Sequence, residues 1–464
     1  MFVPIVFTGF MLLATAIALL DWRRGWLLAI VCMFLEDPAR KLTPGTPVVM
    51  TLSVIVIYVV VLFSSQPNLS RQFADLNRRF SQVYGAAMIF MLFLFLAAIN
   101  GIATFGLELW KVPALSLFIY TAPLPAIVLG YTYAQREEHI LGIFRFYAVV
   151  TTFGLIGTPL EFYRVNSKAL GMVALPEGLT RYLPGIQIRL LSGFYRAPDI
   201  MGWHAAMLTI IGMTMAIRAG VLRSGWPWIL VAGWGFLNCV LSGRRKAIYM
   251  VAAFVVVFVW RYMKRLNLGQ GLAFATMGLL MLGVIHNLKS KEDSSPYATG
   301  ASTTREEVLL RLEGGLLGTI EQFGFMGAGL GTATQGVRHF LGHDQNIGWQ
   351  EGGLGKLAIE VGVPGLLAAA LTFFVLLKAL LKMTAYPDEQ GSTQLLRCAL
   401  FGIFIGNVAN FMASAQAYSD AGLTLMTCFF LGCLLATATL RERLQEVTDP
   451  TSPRSRTLTS PATA

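Results

Sequence analysis

Three cations stand together in Ser242-Gly243-Arg244-Arg245-Lys246, between two apolar runs. Fixed guanidinium groups hold an anion by bidentate hydrogen bonds and by their field. An anionic ligand such as a lipid diphosphate would use such a cluster. Further arginines occur at Arg189 and Arg196, in the run from Arg189 to Asp199, and at Arg305 and Arg311. Groups able to take a proton from a hydroxyl come later in the chain, as the carboxylate of Glu351 and the imidazole of His343. Arg189, Arg196, Lys246, Arg311 and Glu360 are candidates to bind substrate. Arg244, Arg245, Arg305, Glu351 and His343 are candidates for chemistry. The pattern suits a transfer in which a departing anion is stabilised while a hydroxyl loses its proton.

Each of these residues also has a plainer reading. Arg244, Arg245 and Lys246 could bind anionic headgroups, and Arg189 and Arg196 could snorkel at an interface. Arg305 and Arg311 could form a solvated helix face beside Glu306, Glu307 or Glu313. Glu351 suits the start of a helix, where the dipole favours an acid, and Glu360 suits a structural partner inside a bundle.

The elements that must position these residues follow from composition. The chain has 464 residues, is 55% hydrophobic and 13% charged, and has a mean hydropathy of +0.62. Apolar segments of roughly 17–25 residues, enough to cross a bilayer as helix, recur along it. Strand-like alternation is absent from them, so an all-α, polytopic transmembrane helix bundle is expected. Thirteen spans are expected, at 2–20, 24–36, 46–64, 83–100, 112–134, 140–158, 199–217, 226–241, 247–263, 268–286, 354–381, 395–414 and 421–440. The first lacks a basic start and a clear cleavage site, and reads as a retained span. The net charge of +11 would suggest nucleic acid in a soluble chain. Here it collects in short turns, where topology and anionic lipid explain it, and no nucleic-acid partner is expected. The five cysteines fall in or beside apolar runs without metal-ligand spacing, and read as small buried hydrophobes.

The turns with Arg23/Arg24, Arg71/Arg78/Arg79, Arg218/Arg223, Arg261/Lys264/Arg265 and Lys378/Lys382 fall on one face, expected to be cytoplasmic. The Arg244–Lys246 cluster then lies outside, against the positive-inside rule, which is why it calls for an anionic partner. The organisation expected is N-terminal helices over 1–158, an outer loop over 159–198, and central helices over 199–286. A large outer loop over 287–353, C-terminal helices over 354–440 and a disordered tail over 441–464 complete it. Within the large loop, 303–323 reads as helix. The run Gly324-Phe325-Met326-Gly327-Ala328-Gly329-Leu330-Gly331 then breaks it. It lacks the strand, helix and Lys-Ser/Thr ending of a phosphate loop. A tight turn that lets backbone approach a neighbouring span is the better reading.

Taken in order, these motifs resemble the O-antigen ligase and O-antigen polymerase superfamily over roughly residues 185–380. The Arg189–Asp199 entry to a span is similar to the family's Arg-x-x-Gly-type entry. Ser242-Gly243-Arg244 resembles its Ser-Arg-small motif between spans. The arginine- and glycine-bearing loop and Glu360-Val361-Gly362-Val363-Pro364-Gly365 resemble the rest. The sequence departs at Glu351, where ligases of the family tend to carry histidine; His343 and His339 lie upstream. A polymerase, or a ligase relative for another surface polysaccharide, therefore fits better than a lipid-A-core ligase.

The resemblance implies a multi-pass enzyme of the bacterial inner membrane, active on its periplasmic face. Its partners would be an undecaprenyl-diphosphate-linked glycan donor, a glycan acceptor, the lipid bilayer and other polysaccharide assembly proteins. No cofactor is expected, since the donor sugar arrives activated. No Asp-x-Asp motif stands on the outer face, so arginine is expected in place of a metal. A ligase, a transporter of an anionic solute or glycolipid, and a non-catalytic assembly or sensor protein are the competing readings.

Overall fold

The computed structural model describes residues 2–173, 179–183, 186–262, 268–289, 297, 316–334, 350–385 and 391–440. Helices dominate. The N-terminal set is α1 (Phe2–Leu20), α2 (Trp22–Leu42), α3 (Ser53–Arg79), α4 (Ser81–Phe105), α5 (Lys111–Thr121), α6 (Pro125–Tyr133), α7 (Glu137–Gly154) and α8 (Gly157–Phe162). A hairpin of β1 (Leu179–Leu183) and β2 (Ile186–Leu190) follows. Next come α9 (Pro198–Ala219), α10 (Trp226–Leu241), α11 (Arg245–Tyr262), α12 (Leu268–Lys289), the short α13 (Gly318–Phe323), α14 (Gly353–Ala385), α15 (Gly391–Ala413) and α16 (Ala421–Ala436).

Helix covers most of each apolar run expected to span. Among the described residues, nine helical segments are long and apolar enough to cross a bilayer, and Trp226–Leu241 and Ala421–Ala436 are shorter apolar helices. The helices of the spans expected over 24–36 and 247–263 are not among these, and both carry charge at their ends. α2 holds Arg23, Arg24, Glu36, Asp37, Arg40 and Lys41, and α11 holds Arg245, Lys246 and Arg261. The chain is an all-α, multi-pass membrane protein.

α9 is its axis. Every residue from Pro198 to Ile217 is buried, because α7, α10, α11, α12 and α15 all pack on it. A helix enclosed on every side must be apolar all round, and its polar exceptions are satisfied. Trp203 Nε1 donates to Asn407 Oδ1 on α15 at 2.8 Å. His204 Nδ1 meets the Tyr147 hydroxyl of α7 at 2.7 Å. With little hydrophobic drive between helices in lipid, such contacts and close packing hold the bundle together.

Contacts between helix ends sort the chain into two layers. At one end Arg218 pairs with Glu137, which also accepts from Thr393 at 3.1 Å. Arg23 meets His139 at 3.5 Å, and Arg261 donates to the Leu381 carbonyl at 3.3 Å. These basic turns share one end, as their spacing in the sequence suggested. Lys264 and Arg265 lie outside the described residues. The hairpin and the Ser242–Lys246 turn lie at the other end.

Three departures from the expected elements bear on the site. Within the 159–198 segment, expected as an outer loop, β1 and β2 pair antiparallel, with Thr180 opposite Arg189 and Tyr182 opposite Gln187. The span expected over 112–134 is present as Lys111–Tyr133, interrupted by a turn between α5 and α6. The span expected over 354–381 breaks at Gly362 (φ +65°). A side chain there would strike Met326, because Val363 N donates to the Phe325 carbonyl at 2.8 Å and Ala328 N to the Ile359 carbonyl at 2.7 Å. The glycine run thus docks into the broken helix. On its far side Leu330 N donates to the Ala97 carbonyl of α4 at 2.9 Å. The expected helix over 303–323 is described only from 316, and the tail expected to be disordered lies outside the described residues.

Candidate functional site

α10 ends in a turn built to hold cations. The Ser242 hydroxyl donates to the Cys239 carbonyl at 2.6 Å and accepts from Arg244 N at 3.1 Å. Gly243 turns the chain at φ +66°, a conformation that disfavours a side chain. A Cβ added there would meet Leu190 Cδ2 at 2.5 Å, so β2 presses directly on this turn. α11 then starts at Arg245. Arg244, Arg245 and Lys246 are therefore gathered at the positive end of a helix dipole, where cations are disfavoured without an anion.

The protein supplies part of that anion. Asp199, buried in the first turn of α9, pairs through Oδ1 with Arg244 Nε at 3.1 Å and Lys246 Nζ at 2.5 Å. Lys246 also donates to Ser414 Oγ at 2.9 Å, at the end of α15. Ala415 N donates to the Glu351 carbonyl at 2.8 Å, which ties the entry of α14 to the same corner. Glu351 stands close enough for its charge to act on the Lys246 ammonium. Arg245 and Lys246 are buried, whereas Arg244 is 18% exposed by side chain. The structure thus brings Arg244, Arg245, Lys246 and Glu351 together. Arg305, Arg311, His343 and His339 lie outside the described residues.

Arg196 departs from its expected role. Its guanidinium meets Glu36 at 3.4 Å and Asp37 at 3.1 Å, and pairs with Asp420 as well. Its backbone N–H donates to Asp37 Oδ2 at 2.8 Å. Burial opposes its charge, but the carboxylates of Asp420, Asp37 and Glu36 win and raise its pKa above the ordinary arginine value. A cation paired with three carboxylates is a strut between α2, the α9 entry and α16, although its side chain is 18% exposed, as that of Arg244 is. Lys41 completes the strut, donating to the carbonyls of Gly193 at 2.9 Å and Tyr195 at 2.6 Å. Its burial brings the ammonium pKa down to about 8.

Glu360, expected to bind substrate, is likewise consumed by the protein. It is fully buried and accepts from the hydroxyls of Tyr120 at 2.6 Å, Thr334 at 2.6 Å and Ser116 at 3.5 Å, and from Gly331 N at 3.3 Å. It fastens the glycine run to α5. These are contacts of the kind the structural alternative calls for. Arg189 keeps a more open position. It is 42% exposed by side chain, with Glu161 at 3.8 Å. Glu161 is occupied mainly with the N–H groups of Ser192 at 2.9 Å and Gly193 at 2.7 Å.

Sequence reasoning passed over Asp199, Ser414 and Glu161. Asp199 was legible as an acid in a helix's first turn, but nothing in its surroundings pointed to Arg244. Ser414 and Glu161 carried no signal at all.

Fold and site together define a multi-pass helical membrane protein with a cation-rich corner at one end of its bundle. No family model matches the chain, and no curated protein matches it.

Proposed function

We propose that this protein is a membrane glycosyltransferase-type polymerase. It would join undecaprenyl-diphosphate-linked glycan units into a surface polysaccharide on the periplasmic face of the bacterial inner membrane. The observation that carries the reading is the Arg244–Lys246 corner. Three cations crowd the positive end of α11, with Asp199 and the nearby Glu351 as the acids identified beside them. Such a corner suits a diphosphate, whose charge grows as it departs. The family resemblance supplies the identity of the carrier.

In the proposed reaction an acceptor hydroxyl attacks the anomeric carbon of the donor sugar. The new C–O bond forms as the bond to the diphosphate oxygen breaks. The hydroxyl proton passes to Glu351, and undecaprenyl diphosphate leaves with the bonding pair. Arg244, the most accessible of the three cations, faces the leaving group. Lys246, tied to Asp199 and Ser414, holds the corner in shape. Its place in the corner supports Glu351 as the base, and its half-buried position leaves it a route to return the proton to solvent.

The test is reconstitution of the full chain in proteoliposomes with a purified lipid-linked repeat unit, followed by sizing of the lipid-linked glycans. Ladders of repeat units are expected from the wild type, and unextended units from Glu351→Gln. Transfer of long chains to another acceptor, without growth on the carrier, would replace the polymerase by a ligase. Export of an unaltered substrate would replace it by a transporter.

A further inference from the structure

A second site lies across the hairpin from the cationic corner. Alternation along β2 gives its two faces different tasks. Ile188 and Leu190 are buried, and Leu190 packs on the Ser242–Arg244 turn at Gly243. Gln187 and Arg189 point the other way and are exposed. Their face lines a cleft of about 530 Å³, closed by Phe162, Tyr163, Arg164, Leu191 and Tyr297. That volume lies within the range of roughly 300–1,000 Å³ typical of small-molecule sites.

The lining has a definite chemistry. Tyr163 is 74% exposed, directly after the candidate span that ends at Phe162. Phe162 lies beside it at 5.3 Å between centroids, and Tyr297 stands edge-on to Phe162 at 6.1 Å. The Tyr297 hydroxyl is anchored to the Arg189 carbonyl at 2.6 Å. Arg164 follows Tyr163 with φ +57°, a left-handed conformation that a helix end normally gives to glycine. A non-glycine residue there is strained. Strain of this kind collects at functional sites, and here it ends α8 so that an arginine stands in the cleft. Of the two guanidinium groups, Arg189 is partly offset by Glu161 at 3.8 Å.

Exposed aromatic faces, an amide and two arginines suit a ring-shaped ligand that carries negative charge. The negative face of an aromatic ring attracts the polarised C–H bonds of a pyranose, and a guanidinium fork matches a carboxylate. We propose that this cleft binds an acidic saccharide, stacked on Tyr163 with its carboxylate on Arg164 and Arg189. That the ligand is a saccharide rests on the polymerase reading; that it is anionic rests on the cleft itself.

The test is calorimetric titration of the purified full chain in lipid nanodiscs with tetragalacturonate and with its fully methyl-esterified form. The acid is expected to bind, and the ester to bind at least about tenfold more weakly, as expected for loss of a charge-assisted contact. Tyr163→Ala and Arg189→Gln should each weaken the acid by a similar factor, while Tyr163→Phe should not. Arg164→Asn keeps the left-handed turn, so its weaker binding cannot be put down to misfolding. Equal affinity for acid and ester, absence of binding at millimolar concentration, or wild-type affinity in Tyr163→Ala would each overturn the proposal. The titration uses neither donor nor turnover. Failed binding with intact polymer growth removes this cleft alone, and intact binding without growth removes the polymerase alone.

Discussion

Two charged clusters sit at the same end of the bundle, and they are opposites. Around Arg196, the guanidinium pairs with the three carboxylates of Glu36, Asp37 and Asp420, and Arg40 and Lys41 feel the charge of Asp37 as well. Around Asp199, one carboxylate faces Arg244 and Lys246, with Arg245 buried beside them. The first is a strut whose arginine is already paired with three carboxylates. The second is rich in cations at a helix end that already favours negative charge. The sequence presents both as arginines near the outer ends of spans. What separates them is the balance of acids that the fold delivers to each.

The largest expected effect would break the strut. Arg196→Ala leaves three carboxylates together in a buried site, and losing one partner of a buried pair costs about 3–5 kcal/mol. The variant should melt well below the wild type, or fail to accumulate, when followed by thermal unfolding in detergent. An unchanged melting temperature would mean that Arg196 is not structural and would return it to the list of anion ligands.

Next in size is the cationic corner. Arg244→Ala should lower polymer formation at least about a hundredfold, the scale for losing one donor to a developing anion. Its melting temperature should change far less than that of Arg196→Ala, since Lys246 still pairs with Asp199. Lysine should rescue Arg244 only in part, because the ammonium lacks the guanidinium fork. Polymer at wild-type levels from Arg244→Ala would reduce the corner to a headgroup anchor and erase the functional half of the comparison.

The smallest effect is one of slope. Lys41 has its pKa lowered to about 8 by burial, from an ordinary value of 10.5. Between those values the unfolded chain holds a proton that the folded chain has released, so this group makes stability rise with pH across that window. Unfolding measured from pH 8 upward should show that rise in the wild type, and a shallower one in Lys41→Gln. Parallel slopes would mean that the lysine is better solvated than its contacts with the Gly193 and Tyr195 carbonyls imply.

Much of the fold was legible before any coordinates. Apolar runs of bilayer length became helices because a buried backbone must satisfy its own hydrogen bonds. The glycine run was legible too, as a close backbone approach, and it packs against Gly362, Ile359 and Ala97 in that way. The hairpin was not. Ile186-Gln187-Ile188-Arg189-Leu190 alternates with period two, but a five-residue strand inside a loop is too short to stand out against long apolar helices. The break at Gly362 was hidden as well, because Pro364 and three nearby glycines are compatible with a kinked span and with two separate helices.

The sequence by itself determined the class of this protein and the presence of a cation cluster, since both depend on residues adjacent in the chain. Bilayer-length hydrophobicity and three consecutive basic side chains need no partner to be read. Only the tertiary structure decided which charges are spent and which remain. Arg196 is paired with carboxylates 159, 160 and 224 positions away, and Glu360 accepts hydrogen bonds from hydroxyls as far as 244 positions away. Electrostatic energy depends on separation in space, and separation along the chain carries almost none of that information.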